Sequence, residues 1–181
     1  DAAHPVAARP TLPPASQLPP PSNDVPAADP LPEGAEAELI SDFVTEGLDY
    51  LEQAEQALLV LESNPDDAES VNVVFRAFHT IKGVSGFLEL HRLTDLAHHA
   101  ESLLSRVRDG GVVYTGTVAD LSLRSVDALK ALLLSVRAAL KTGVIEIPGG
   151  YGALLLSLTD PGLAARLAEE AEHGPARKIE A

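Results

Sequence analysis

Residues 36–63 read EAELISDFVTEGLDYLEQAEQALLVLES, and within them Leu39, Phe43, Val44, Leu48, Leu51, Ala54, Leu58 and Leu61 recur at intervals of three and four. That spacing puts one apolar stripe on a single side of a long amphipathic helix. Asn64-Pro65 then supplies a cap and a first-turn proline, and Asp66, Asp67 and Glu69 complement the dipole of a second helix running toward Phe87. A third helix is expected over residues 91–109, carrying Leu93, Leu96, Ala97, Ala100, Leu103, Leu104 and Val107 until Gly110-Gly111 ends it. Thr117 can cap a fourth that reaches Lys141, with Gly143 past its end. Pro148-Gly149-Gly150 breaks the chain, and residues 151–158 and 161–173, the latter capped by Asp160, give one or two shorter helices. The expected fold is all-α: an antiparallel up-down four-helix bundle over residues 36–143 with a C-terminal helical annex over 144–174.

Composition agrees with helices and narrows the function. Of 181 residues 45% are hydrophobic but only 4% aromatic, with no Trp, Met or Cys, which suits aliphatic helix packing better than a large sheet. Lacking cysteine, the chain has no disulfide, thiol catalysis or thiolate metal site, in keeping with a cytoplasmic setting. Thirteen basic against 27 acidic residues give a net charge of −14, which repels a phosphate backbone and disfavours nucleic-acid binding. No apolar run approaches the roughly 20 residues that span a bilayer, so membrane insertion is not expected. Ten of the 14 prolines lie between Pro5 and Pro32, so residues 1–35 are expected to be a disordered Pro/Ala-rich linker rather than part of the fold. Residues 175–181 look like the start of a second linker, and a first residue of Asp1 suggests a piece of a longer protein.

The second helix carries the chemistry. A wheel at about 100° per residue places Val73, Ala77, Ile81, Val84 and Leu88 on the side facing the core. With His79 at the origin of that wheel, Asn72, Arg76, Lys82, Gly83 and Gly86 all fall within roughly 60° of it, opposite the core. Two cations and two helix-interior glycines on one face are costly for stability alone, since each glycine is about 1 kcal/mol worse than Ala. Their absent side chains leave room for another protein's surface to approach the imidazole, which makes Arg76, Gly83 and Gly86 candidate partner-binding positions.

The string His79-Thr80-Ile81-Lys82-Gly83-Val84-Ser85-Gly86-Phe87 closely resembles the phosphoacceptor signature of histidine phosphotransfer (HPt) domains, above all the N-terminal domain of CheA-type chemotaxis histidine kinases. Val73 to Phe78 before it, Leu96 to Leu104 after it and Arg108-Asp109-Gly110 extend the likeness over residues 38–111. The resemblance implies that His79 is the phosphorylated histidine, that Lys82 stabilises charge on the phosphoryl oxygens, that Glu101 orients the imidazole and that His98 joins the same polar network. The chemistry is sound on its own terms: a carboxylate holding Nδ1–H selects the tautomer that leaves Nε2 nucleophilic. Phosphoryl transfer needs mainly positioning and charge stabilisation, so one histidine, one carboxylate and one lysine suffice for a donor half-site.

The resemblance further implies the partners: an ATP-binding kinase domain elsewhere in the parent chain and a response-regulator receiver domain whose aspartate takes the phosphoryl group. ATP and Mg²⁺ would act through those domains, with no cofactor bound by this one. No Walker-type loop, nucleotide-binding fingerprint or nucleophile elbow is present, so the fragment is not expected to be an enzyme by itself. His98 and His99 point about 100° apart on a helix and cannot easily chelate one ion, so no metal site is expected. Two other readings remain open at this level: an HPt intermediate between two receivers in a multistep phosphorelay, and a structural bundle that docks through its acidic first helix. Glu101 has a plainer alternative too, as a surface partner of Arg106 or Arg108. A bundle that closes its own core is expected to be monomeric.

Overall fold

The computed structural model describes residues 27–173, so the proline-rich expectation for 1–26 and the second linker at 175–181 lie outside the described residues. Four long helices run in sequence: α1 (Ala37–Ser63), α2 (Ala68–Phe87), α3 (His91–Arg108) and α4 (Gly116–Thr142). Connections of four, three and seven residues force neighbours to be antiparallel. Contacts between α2 and α3 agree, since Ser85 meets Thr94 and His79 meets Glu101: as one chain position rises the other falls. The helices close a ring, with α1 packed on α2 and α4, and α3 on both α2 and α4.

The core is aliphatic. Ile40, Val44, Leu51 and Leu61 of α1 meet Val74, Phe78 and Ile81 of α2, Leu93, Leu96 and Leu104 of α3, and Leu129, Leu132 and Leu133 of α4, all buried. Burial of each such side chain stabilises the fold by about 1.5–3 kcal/mol. Gly47 lets α1 approach α4 closely, because a Cβ there would stand 2.9 Å from Leu133 Cδ1.

Several sequence expectations shift. Helix α2 is capped by Asp67, whose carboxylate accepts from the Ser70 amide at 2.9 Å, rather than by Asn64. Asn64 instead closes α1, donating its amide to the Val60 carbonyl, and Pro65 falls in the turn. Thr115, not Thr117, precedes α4, and Thr117 lies inside the helix with its hydroxyl donating to Glu170. Gly143 ends α4 with φ 77°, as its position past the helix suggested. On α2 the buried line is Val71, Val74, Ala77, Phe78, Ile81 and Ser85, while Val73, Val84 and Leu88 are only half-buried. The helix lies between α1 and α3 and buries an arc wide enough to include Phe78, which rotates the core face toward it.

A larger correction concerns the linker boundary. Residues 28–30 are not part of a free tether: β1 (Ala28–Pro30) pairs antiparallel with β2 (Val144–Glu146), Asp29 opposite Ile145. The Leu31 amide adds a bond to the Gly143 carbonyl at 2.9 Å, and Arg92 of α3 grips the Asp29 carboxylate through Nε at 2.7 Å. The fold is all-α as expected, with one short two-stranded ribbon added to it. Beyond it α5 (Tyr151–Thr159) and α6 (Leu163–His173) form the annex, with Tyr151 buried and its hydroxyl donating to the Arg92 carbonyl at 3.1 Å. Burial pushes the Tyr151 phenol up to about 12, so it remains a donor.

Candidate functional site

His79 sits on α2 with 62% of its side chain exposed, on the side away from the core as the wheel required. Its Nδ1 lies 2.7 Å from Glu101 Oε1 of α3. Glu101 is only 8% exposed, and its second oxygen, Oε2, is 2.5 Å from Lys82 Nζ one turn along α2. Burial acts to raise the Glu101 carboxyl, but the hydrogen bonds from Lys82 and His79 outweigh it and hold the group below its ordinary value of 4.5. An ionised carboxylate only accepts, so the bond to His79 requires the proton on Nδ1. Nε2 then carries the lone pair at the solvent-facing end of the ring.

Among the candidates from the sequence, His79, Lys82 and Glu101 thus meet in one cluster, and the alternative pairing of Glu101 with Arg106 or Arg108 is not observed. Lys82 is less exposed than a helix-surface lysine, at 29% of its side chain, because its stem lies back toward Glu101. His98 does not join. It is exposed, its ring lies 5.1 Å from that of His99, and among the described residues no hydrogen bond links it to the cluster. Glu101 meets His79 through Oε1 and Lys82 through Oε2, while the His98 ring stays exposed beside His99.

Arg76, Gly83 and Gly86 share the exposed face of His79. A Cβ added at Gly83 would meet nothing within 4 Å, and one at Gly86 would make ordinary contact with Thr94 at 3.7 Å. The glycines therefore answer no packing need within this chain; they keep the surface beside the imidazole low. Phe87, 78% exposed, ends the same helix.

Phe75, and Arg108 in a role other than pairing with Glu101, also adjoin the site. Phe75, one turn before His79, stacks on the imidazole with ring centroids 5.9 Å apart and planes 19° from parallel. Arg108 of α3 places its guanidinium 4.2 Å from the Phe75 ring centroid. The same wheel that selected Lys82 and Gly83 puts Phe75 about 40° from His79, so the signal was present. No group of three or more His, Asp or Glu that could hold a metal ion is found among the described residues, and none of their helices is long and apolar enough to cross a membrane.

Residues 38–139 match the Hpt domain family. Among curated proteins, the chain is 44% identical over 100 residues to the sensor histidine kinase CheAY of Helicobacter pylori, covering 55% of this chain and 12% of that protein. It is 40% identical over 111 residues to the chemotaxis protein CheA of Treponema pallidum, covering 61% and 14% respectively. The chain thus spans only about an eighth to a seventh of the length of these relatives. Among solved structures it resembles the phosphorylated P1 domain of CheA3 in complex with CheY6 from R. sphaeroides, with a TM-score of 0.62 at 32% identity, over 73% of this chain and 99% of that one. The CheA phosphotransferase domain from Thermotoga maritima aligns with a TM-score of 0.54, also at 32% identity, over 57% and 98%. With a match across the whole bundle and a histidine, lysine and glutamate assembled on its exposed face, this chain belongs to the Hpt domain family, in the branch found in CheA-type proteins.

Proposed function

We propose that His79 accepts a phosphoryl group from ATP held by a separate kinase domain of a CheA-type parent protein and donates it to the aspartate of a response-regulator receiver. The observation that carries this reading is the 2.7 Å bond between His79 Nδ1 and the buried Glu101, which leaves Nε2 free and nucleophilic. In the first step the Nε2 lone pair forms the N–P bond while the bond from the γ-phosphorus to the bridging oxygen breaks and ADP departs. The proton stays on Nδ1, so the ring becomes cationic, and the Glu101 carboxylate beside it balances that charge. In the second step a receiver carboxylate oxygen attacks phosphorus, the N–P bond breaks, and the ring returns to its neutral form. Lys82 reaches toward the same region and can offset charge on the phosphoryl oxygens.

ATP and Mg²⁺ belong to the partner domains in this scheme, and the parent protein is a histidine kinase acting in chemotaxis in the cytoplasm. Similarity to a sensor histidine kinase and to a chemotaxis protein supports it, together with similarity to a P1 domain that forms a complex with CheY6. The test is to incubate the chain with labelled ATP and a CheA-type kinase core that lacks its own phosphotransfer domain, alongside His79→Gln. Acid-labile label that is absent from the variant and chases onto a receiver is the expected result. A fragment labelled only in reverse, from a phosphorylated receiver, would place it in a multistep relay instead, and no label by either route would leave a docking bundle.

A further inference from the structure

Phe75 and Arg108 form a second grip on the phosphoacceptor. We infer that Phe75 is a positioning residue that fixes the plane of the His79 imidazole, and that Arg108 holds Phe75 in place; the inference rests on His79 being the phosphoacceptor. A single bond from Nδ1 to Glu101 sets where one corner of the ring lies but leaves the ring free to rock about that bond, because the second torsion of histidine is broad. A flat neighbour nearly parallel to the ring removes that freedom. Phe75 is such a neighbour, at 5.9 Å between centroids and 19° between planes.

Phe75 is itself fixed from α3. The Arg108 guanidinium lies 4.2 Å from its ring centroid, within range of a cation–π contact. That guanidinium is oriented by its own bonds, Nε donating to Asp109 Oδ1 at 3.1 Å and Nη2 to Ser105 Oγ at 3.4 Å. Both holds on the imidazole therefore lead to the same helix: Glu101 directly, and Arg108 two turns later through Phe75. Phe78 is wholly buried, whereas Phe75 is half-buried: it packs against the edge of the core, which anchors it, and its ring lies alongside the imidazole on the His79 face.

The test compares Phe75→Leu, which keeps apolar bulk without a flat face, with Phe75→Tyr, which keeps the face, and with Arg108→Gln. Trans-phosphorylation of the whole chain by a CheA-type kinase core is read as kcat and KM separately, the order of the His79 ring is read from the relaxation of its C–H groups by NMR, and thermal unfolding reports the fold. Phe75→Leu should lower kcat about tenfold with KM within about twofold, and lower the order of the imidazole ring while Glu101 keeps the proton on Nδ1. Phe75→Tyr should restore both, and Arg108→Gln should shift both in the direction of Phe75→Leu by a smaller factor. A folded Phe75→Leu with wild-type kcat and wild-type ring order overturns the inference. Should Phe75→Leu not fold, wild-type kcat and ring order in the exposed Arg108→Gln overturn it equally. Failure of the phosphoacceptor reading is seen separately, as wild type that takes no label or His79→Gln that keeps it, and the NMR comparison still decides the positioning role.

Discussion

Glu101 serves two cationic or potentially cationic neighbours with its two oxygens, and the consequences for rate and stability separate. Glu101→Ala frees the imidazole to exchange tautomers and should slow phosphorylation of His79 about tenfold or more, measured with labelled ATP and a kinase core; an unchanged rate would remove its orienting role. Stability supplies a second reading through pH. Because the folded-state carboxyl is held below its ordinary value of 4.5, its contribution is fully present above that value and is lost as pH falls through the folded-state value beneath it. Urea midpoints of wild type and Glu101→Gln should therefore differ by a constant amount from pH 7 down to about 5 and converge below it. Lys82→Ala should slow phosphoryl transfer and cost about 1–3 kcal/mol of stability, since it leaves one oxygen of the buried Glu101 carboxylate without its cation. At this scale the sequence was informative: the spacing from His79 to Lys82 and the resemblance naming Glu101 together located the cluster. Phe75 was equally visible on the wheel, but an aromatic at helical spacing reads as core until a structure shows its ring lying on the imidazole. His98 shares a helix face with Glu101 by spacing, yet its ring stays exposed beside His99 and not on the carboxylate, which spacing alone does not reveal.

Helix α2 carries two demands on its opposite faces. Its buried side must fit between α1 and α3, and its exposed side must stay low around His79, which is why glycine occupies helix-interior positions where it weakens the helix. Gly83 makes the conflict testable because a Cβ there meets no atom within 4 Å. Gly83→Ala should raise stability by about 0.5–1 kcal/mol and yet slow transfer from His79 to a receiver, read as a higher unfolding midpoint together with slower loss of label. A variant that is more stable and transfers at the wild-type rate would mean that nothing approaches closely along that stripe. The boundaries of the elements were less legible than their existence. Asp67 rather than Asn64 caps α2 because its carboxylate meets the Ser70 amide, a distinction that the local sequence pattern does not draw.

On the scale of the whole molecule, the end of the bundle where α2 turns into α3 is closed by pieces far apart in the chain: the β1–β2 ribbon, the Asp29–Arg92 ion pair and the Tyr151 hydroxyl on the Arg92 carbonyl. Residues 28–30 looked like linker because their neighbours are proline and alanine, and what orders them is a partner 63 positions later, which local patterning cannot show. The annex lies against α3 near its first turn, nine residues before Glu101, or about 14 Å along the helix axis. Structural and chemical roles are thus separated along one helix. Tyr151→Ala removes a ring that is 2% exposed and should cost about 3 kcal/mol of stability, while Tyr151→Phe, which loses only the bond to Arg92, should cost about 1 kcal/mol. Below their unfolding temperatures both variants should accept label on His79 within about twofold of wild type. A loss of phosphorylation in folded Tyr151→Phe would instead mean that α3 transmits the state of the annex to Glu101, and that the bundle behaves as one coupled element rather than as a rigid platform with separate ends.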